Sequence, residues 1–154
     1  MELFNFAVVG NISYDYNYFP NRDNQSLKET MNYGGATIYS GIPASLFTKV
    51  GIAAKVGEDY DLSVLEKYNL DLSGVKMVKG KTTVFKQVFK SNDGQLRDFS
   101  EFVNLNTVLK PEDIPKQYLK AKYIHICTNY PEALYELVKY LRENSNAVLS
   151  IIEK

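Results

Sequence analysis

Short apolar runs closed by glycine or polar turns alternate along this chain with stretches of helical period. Phe6-Ala7-Val8-Val9, ending at Gly10-Asn11, predicts a buried central strand. Residues 11–20 alternate polar and aromatic side chains, residues 21–25 form a polar turn, and residues 26–33 read as a second, more exposed extended segment. From Ala36 the period becomes helical, with Ile38, Ile42, Leu46, Phe47 and Val50 on one face. Pro43 within that pattern predicts a kink or a shifted start. Gly51 is placed to end the helix, and residues 52–56 to form a short strand.

Residues 59–70 read as a second helix, capped by Asp61 or Ser63, with Leu62, Val64, Leu65 and Tyr68 inward. Residues 82–90 and 95–102 alternate around Ser91-Asn92-Asp93-Gly94, and Asp-Gly between two such runs signals a hairpin. Thr83, Phe85, Gln87 and Phe89 share one face of its first strand. Residues 109–115 form a turn or a helix start, and residues 123–127 a buried strand. Residues 131–143 carry a well-marked helix, with Pro131 near its start and Leu134, Leu137, Val138 and Leu141 in register. A last apolar strand covers residues 147–152. Strand–helix–strand alternation around a hairpin predicts an α/β domain with a small β appendage. No internal repeat or long linker divides it.

Composition narrows the function classes. The 154 residues suit one domain with a core that needs neither disulfide nor metal. Eighteen basic and eighteen acidic side chains cancel, so no long-range field gathers polyanions, which argues against nucleic acid or an anionic membrane as main partner. Apolar runs fall far short of a membrane span, and the first residues lack the pattern of a secretory signal. The single Cys127 excludes an internal disulfide and fits a reducing cytoplasm. One histidine and one cysteine cannot assemble a zinc site of the usual ligand type within the chain. Twelve tyrosines without tryptophan suggest half-buried packing residues with wet hydroxyls.

Two features carry candidate chemistry. Gly34-Gly35 precedes a helix start, where backbone N–H groups can face a polar ligand and missing Cβ atoms permit close approach. The plainer alternative is a tight turn. Asp15 lies just past the carboxyl end of the first strand, the end at which open parallel sheets bind ligands. Its carboxylate can accept from two neighbouring hydroxyls, as a polyol offers them, or can simply be a solvated turn aspartate. His125, mid-strand, reads as a buried, hydrogen-bonded core residue, and Cys127 as inert packing. Lys76, Lys79, Lys81, Lys86, Lys90 and Arg97 are explained by solvation and edge protection. Neither Gly-x-Gly-x-x-Gly nor Gly-x-x-x-x-Gly-Lys-[Ser/Thr] occurs, so no dinucleotide fingerprint or P-loop is present.

Taken together, these pieces resemble the first half of a ribokinase-like (PfkB) carbohydrate kinase. Val8-Val9-Gly10-Asn11-Ile12-Ser13-Tyr14-Asp15 is similar to that family's opening strand and substrate aspartate. Tyr33-Gly34-Gly35-Ala36-Thr37-Ile38-Tyr39 resembles its first signature, and residues 46–59, ending in Ala54-Lys55-Val56-Gly57-Glu58-Asp59, the following helix, strand and turn. Residues 82–99 look like the returning lid hairpin, and residues 106–114 the segment re-entering the main sheet. The resemblance implies a partial parallel sheet flanked by helices, with a small inserted β-sheet lid. Residues 1–154 would form one incomplete domain, with lid segments at about 12–34 and 81–103. It implies a sugar or nucleoside held by Asn11, Asp15, Gly34, Gly35, Tyr39, Asn106 and Asn129. Tyr39 stands where many members carry asparagine, and Asn129 near a glutamate of ribokinase itself, so ribose does not carry over as substrate. The Gly-Ala-Gly-Asp-type turn that bears the catalytic aspartate has no counterpart, so no catalytic residue is expected here. ATP and Mg²⁺ are expected only with a C-terminal half. The chain is then the substrate-binding portion of an ATP-dependent sugar or nucleoside kinase, inactive alone. The alternative is a non-catalytic polyol-binding or assembly module, and either could form a homodimer through the lid or an exposed sheet edge.

Overall fold

A computed structural model describes residues 5–20, 26–90, 96–127 and 130–152. Along them run β1 (Phe6–Val9), β2 (Ser13–Pro20), β3 (Leu27–Gly34), α1 (Ala36–Ala44), β4 (Val50–Gly57) and β5 (Leu70–Val78). Then follow β6 (Val84–Phe89), β7 (Arg97–Phe102), β8 (Tyr123–Ile126), α2 (Pro131–Asn144) and β9 (Val148–Ile151). β1 takes the centre of a five-stranded sheet of order β5-β4-β1-β8-β9, all parallel, because its apolar residues serve both faces. Ala7 and Val9 face α2 and its Leu137 and Leu141; Val8 faces α1 and its Ile38, beside Ile52 of β4. Helices on both faces make this a doubly wound α/β unit.

Two hairpins leave this sheet and join in a second, four-stranded one of order β3-β2-β6-β7. β2 pairs antiparallel with β3 and parallel with β6, so the two hairpins rise side by side. Their turns, residues 21–25 and the expected Ser91-Asn92-Asp93-Gly94 hairpin turn, lie outside the described residues. The second hairpin is rooted by side chains: Asp59 Oδ1 accepts from Thr82 N at 2.7 Å and Thr82 Oγ1 at 2.8 Å. Asn104 Nδ2 donates to Lys81 O at 2.8 Å, and the Thr83 and Thr107 hydroxyls meet at 3.1 Å.

The first predicted helix is shorter than its apolar pattern. Ser45 Oγ donates to Ile42 O at 2.7 Å and ends α1, leaving Leu46 and Phe47 76% and 89% exposed. Val50 and Gly51 already belong to β4. The second predicted helix is replaced by one 3₁₀ turn, Leu62–Leu65, and after a four-residue turn the chain enters β5. Asp61 does cap that turn, its Oδ1 accepting from Ser63 N at 3.0 Å and Ser63 Oγ at 2.6 Å. Pairing of Val50 with Leu70 then draws the chain into the sheet, an outcome set by a distant strand rather than local period. α2 begins at Pro131 as expected. His125 is only half-buried, and its Nδ1 lies 2.8 Å from Ser150 Oγ on β9. Cys127 is fully buried, and that burial pushes its thiol up from the ordinary range.

Behind the sheet, Tyr118 is fully buried in space that two glycines leave open. A Cβ on Gly51 would lie 2.6 Å from its ring, and one on Gly74 2.7 Å. Its hydroxyl donates to Asp71 Oδ1 at 2.7 Å. Gly51→Ala therefore overpacks the β4–β5 seam and should lower stability by about 1–3 kcal/mol, read as a reduced urea midpoint at unchanged slope.

Nearby, Asp113 joins the segment after the lid to the sheet through Lys55 Nζ at 2.5 Å and Lys76 Nζ at 3.0 Å. Burial pushes this carboxyl up, but Lys55, the Lys110 N–H and Lys76 outweigh it and hold it below the usual carboxylate range. A depressed folded-state pKa contributes stability that is fully present above the unfolded value of about 4 and lost as pH falls through the folded one. Unfolding free energy should fall with acid in that window, and Asp113→Asn should flatten that slope while lowering stability at neutral pH.

Candidate functional site

The diglycine is two glycines with different tasks. Gly34 pairs with Ser13 at the end of β3 and packs against Asp15; a Cβ there would lie 2.2 Å from Asp15 Oδ2. Gly35, at φ 91°, turns the chain into α1, and a Cβ would meet Asn11 O at 2.6 Å. The strand tip and the helix start are thereby brought together, and Thr37 N donates to Asn11 O at 3.3 Å.

Asp15 is buried, 5% exposed, with a donor on each oxygen. Ser13 Oγ donates to Oδ1 at 2.7 Å and Tyr39 Oη to Oδ2 at 2.6 Å. Burial, and then the carboxylate beside it, raise the Tyr39 phenol well above its ordinary pKa, so it stays a protonated donor.

A cavity of about 290 Å³ opens here between the two sheets. Asn11, Asp15, Gly35 and Tyr39 line its floor. Phe85, Gln87, Arg97 and Phe99 line it from the lid, and Ile152 from just past β9. The Phe85 and Phe99 rings stack with centroids 5.6 Å apart. One wall thus accepts hydrogen bonds, while the other offers aromatic faces and a guanidinium that only donates.

Four of the expected site residues, Asn11, Asp15, Gly35 and Tyr39, line this cavity, and Gly34 backs Asp15. Asn106 stands at the lid root instead, donating through Nδ2 to Lys79 O at 3.2 Å. Asn129 lies outside the described residues. Phe85, Gln87, Phe99 and Ile152 were not anticipated, and Arg97, assigned in the sequence to solvation, faces the cavity. Alternation along β6 places Phe85 and Gln87 on one face. The partners come only from the pairing of Gln87 with Phe99 and Phe89 with Arg97.

A doubly wound parallel sheet carrying a small β-sheet lid is the architecture of the ribokinase-like kinases. Residues 4–154 match the pfkB family carbohydrate kinase model, and the chain belongs to that family. It is 29% identical over 142 residues to a cytidine kinase of Thermococcus kodakarensis, covering 91% of this chain and 49% of that protein. Among solved structures, a fructokinase of Halothermothrix orenii superposes with a TM-score of 0.76 at 18% identity, over 96% of this chain and 56% of that one. A nucleoside kinase of Methanocaldococcus jannaschii gives 0.72 at 16% identity, over 98% and 53%. The chain thus spans about half the length of the relatives it matches.

Because Gly34 leaves no room beside Asp15, Gly34→Ala must push the carboxylate or separate β2 from β3. The expected outcome is faster amide exchange along β2 and β3, with β1 and β8 protected as before; uniform protection throughout would contradict the assigned contact.

Proposed function

We propose that this chain is the substrate-binding portion of an ATP-dependent sugar or nucleoside kinase, transferring phosphoryl to an alcohol of the bound polyol. The single observation that carries this is Asp15, a buried carboxylate at a strand tip, facing a small cavity roofed by the lid. A buried carboxylate is a strong acceptor for a ligand hydroxyl, and Asn11 adds a polar group on the same floor. The aromatic pair Phe85 and Phe99 and the cytidine kinase relative favour a ligand with a flat apolar part, a nucleoside over a simple hexose.

ATP and Mg²⁺ belong, in this proposal, to a second half of the protein. The chain has no Gly-Ala-Gly-Asp-type turn, the element that would carry the catalytic aspartate and the hole for phosphoryl charge. The residues present therefore grip and orient the alcohol, and the lid excludes water from it; by themselves they transfer nothing. No helix among the described residues is long and apolar enough to cross a membrane, and the lone buried Cys127 accords with a cytoplasmic setting.

A second reading, a non-catalytic polyol-binding or assembly module, draws on one observation. β9 is the sheet edge among the described residues, and Val148, Ile151 and Ile152 are exposed along it. Such an edge favours a second chain, a homodimer included.

Calorimetric titration with ribose, fructose, cytidine and inosine should give binding to at least one. Asp15→Asn should weaken it at least tenfold by removing a charge-assisted acceptor. No heat from any ligand in folded protein would defeat the polyol site. Phosphoryl transfer from ATP by the 154-residue chain of verified mass should be absent; robust turnover would refute the division into halves.

A further inference from the structure

The strongest acceptor in the cavity is already occupied by the chain's own phenol. Asp15 Oδ2 is approached from one side by Gly34, whose absent Cβ position lies 2.2 Å away, and from the cavity side by Tyr39 Oη at 2.6 Å. Backbone closes the first side, so a ligand hydroxyl reaches Oδ2 only where the phenol now sits. A carboxylate this deeply buried cannot be left bare, because an unpaired buried charge carries its full desolvation cost. Any departure of Tyr39 must be compensated by a donor from the ligand.

The phenol also has somewhere to go. Tyr39 stands between two spaces, lining the Asp15 cavity on one side and, on the other, a groove of about 570 Å³. That groove is bounded by Tyr33, Ile42, Val64, Leu65 and Tyr68. With 56% of its surface exposed, the Tyr39 side chain is not locked by packing. A χ1 change between staggered wells would move the ring from one space toward the other.

We propose that Tyr39 is a specificity gate: its hydroxyl holds the place of a ligand hydroxyl on Asp15 Oδ2, and a polyol takes that oxygen by displacing the phenol into the Tyr33–Ile42–Tyr68 groove. This rests on the assignment of the cavity as a polyol site. The raised pKa of the phenol keeps it a competitor across the neutral range. Selection follows from the exchange. A ligand with a hydroxyl at that position replaces one charge-assisted hydrogen bond with another, whereas one that lacks it leaves the gate shut.

The test is titration calorimetry of the native gene product and its Tyr39→Phe variant with ribose, cytidine and 2′,3′-dideoxycytidine. Phenylalanine keeps the ring and removes the competing donor. Ribose or cytidine should therefore bind the variant roughly tenfold to a hundredfold more tightly, the equivalent of one charge-assisted hydrogen bond. The dideoxy analogue should gain nothing. Unchanged or weaker binding to the variant overturns the gate, as does an equal gain for all three ligands, which would mark simple widening. A structure of the wild-type protein with the bound polyol needs no variant. It should place the phenol in the groove, and a phenol still on Oδ2 refutes the proposal. If neither the wild type nor the variant binds any of the three, the gate fails, while the polyol site stands or falls on the wider sugar and nucleoside panel; binding without a Tyr39 effect sinks the gate alone.

Discussion

Asp15 is held from three directions at the point where β2 leaves the body of the protein. Gly34 presses on it from β3, Ser13 donates from its own strand, and Tyr39 donates from the first turns of α1. Removing a carboxylate from water is tolerated only when its oxygens are paired, and here the donors come from β2 and α1 while β3 packs against them through Gly34. The constraint runs both ways. The charge requires β2, β3 and α1 to meet at the diglycine, and that meeting creates the cavity.

A second joint completes the frame. Asp59, at the end of β4, and Asn104, beyond β7, tie down both feet of the returning hairpin through Thr82 and Lys81. The lid therefore stands on two short polar roots, with its strands pairing one another rather than the main sheet. Asn106 contributes to that footing through Lys79 O. The arrangement leaves the roof of the cavity attached at its base and mostly exposed beyond it: every residue of β7 is exposed. Such an element has few buried contacts holding it to the main sheet beyond its roots.

Much of the main sheet was legible from the chain. β1, β8 and β9 follow from apolar runs, and α2 from its leucine spacing and its leading proline. The hairpin strands follow from alternation, and Asp15 and Gly35, singled out in the sequence, line the cavity between them and the main sheet. β5 was not legible. Its alternation is broken by Gly74, which is there to admit Tyr118 from forty-four residues away, and the preceding segment has a helical spacing that never propagates. Leu46 and Phe47 fall on the helical period of α1, yet stand exposed because Ser45 caps the helix first.

Local periodicity and turn chemistry thus specified which segments are strands or helices on the sheet's two faces, and backbone freedom at Gly34 and Gly35 marked where a ligand could approach. Those signals act within a few residues and so survive in one dimension. The lid half of the cavity depends on cross-strand register, which pairs Gln87 with Phe99 and Phe89 with Arg97. The engagement of Asp15 by Tyr39 depends on the angle at which α1 leaves the diglycine. Both are contacts between segments far apart along the chain, fixed by packing and pairing energies that no local pattern encodes.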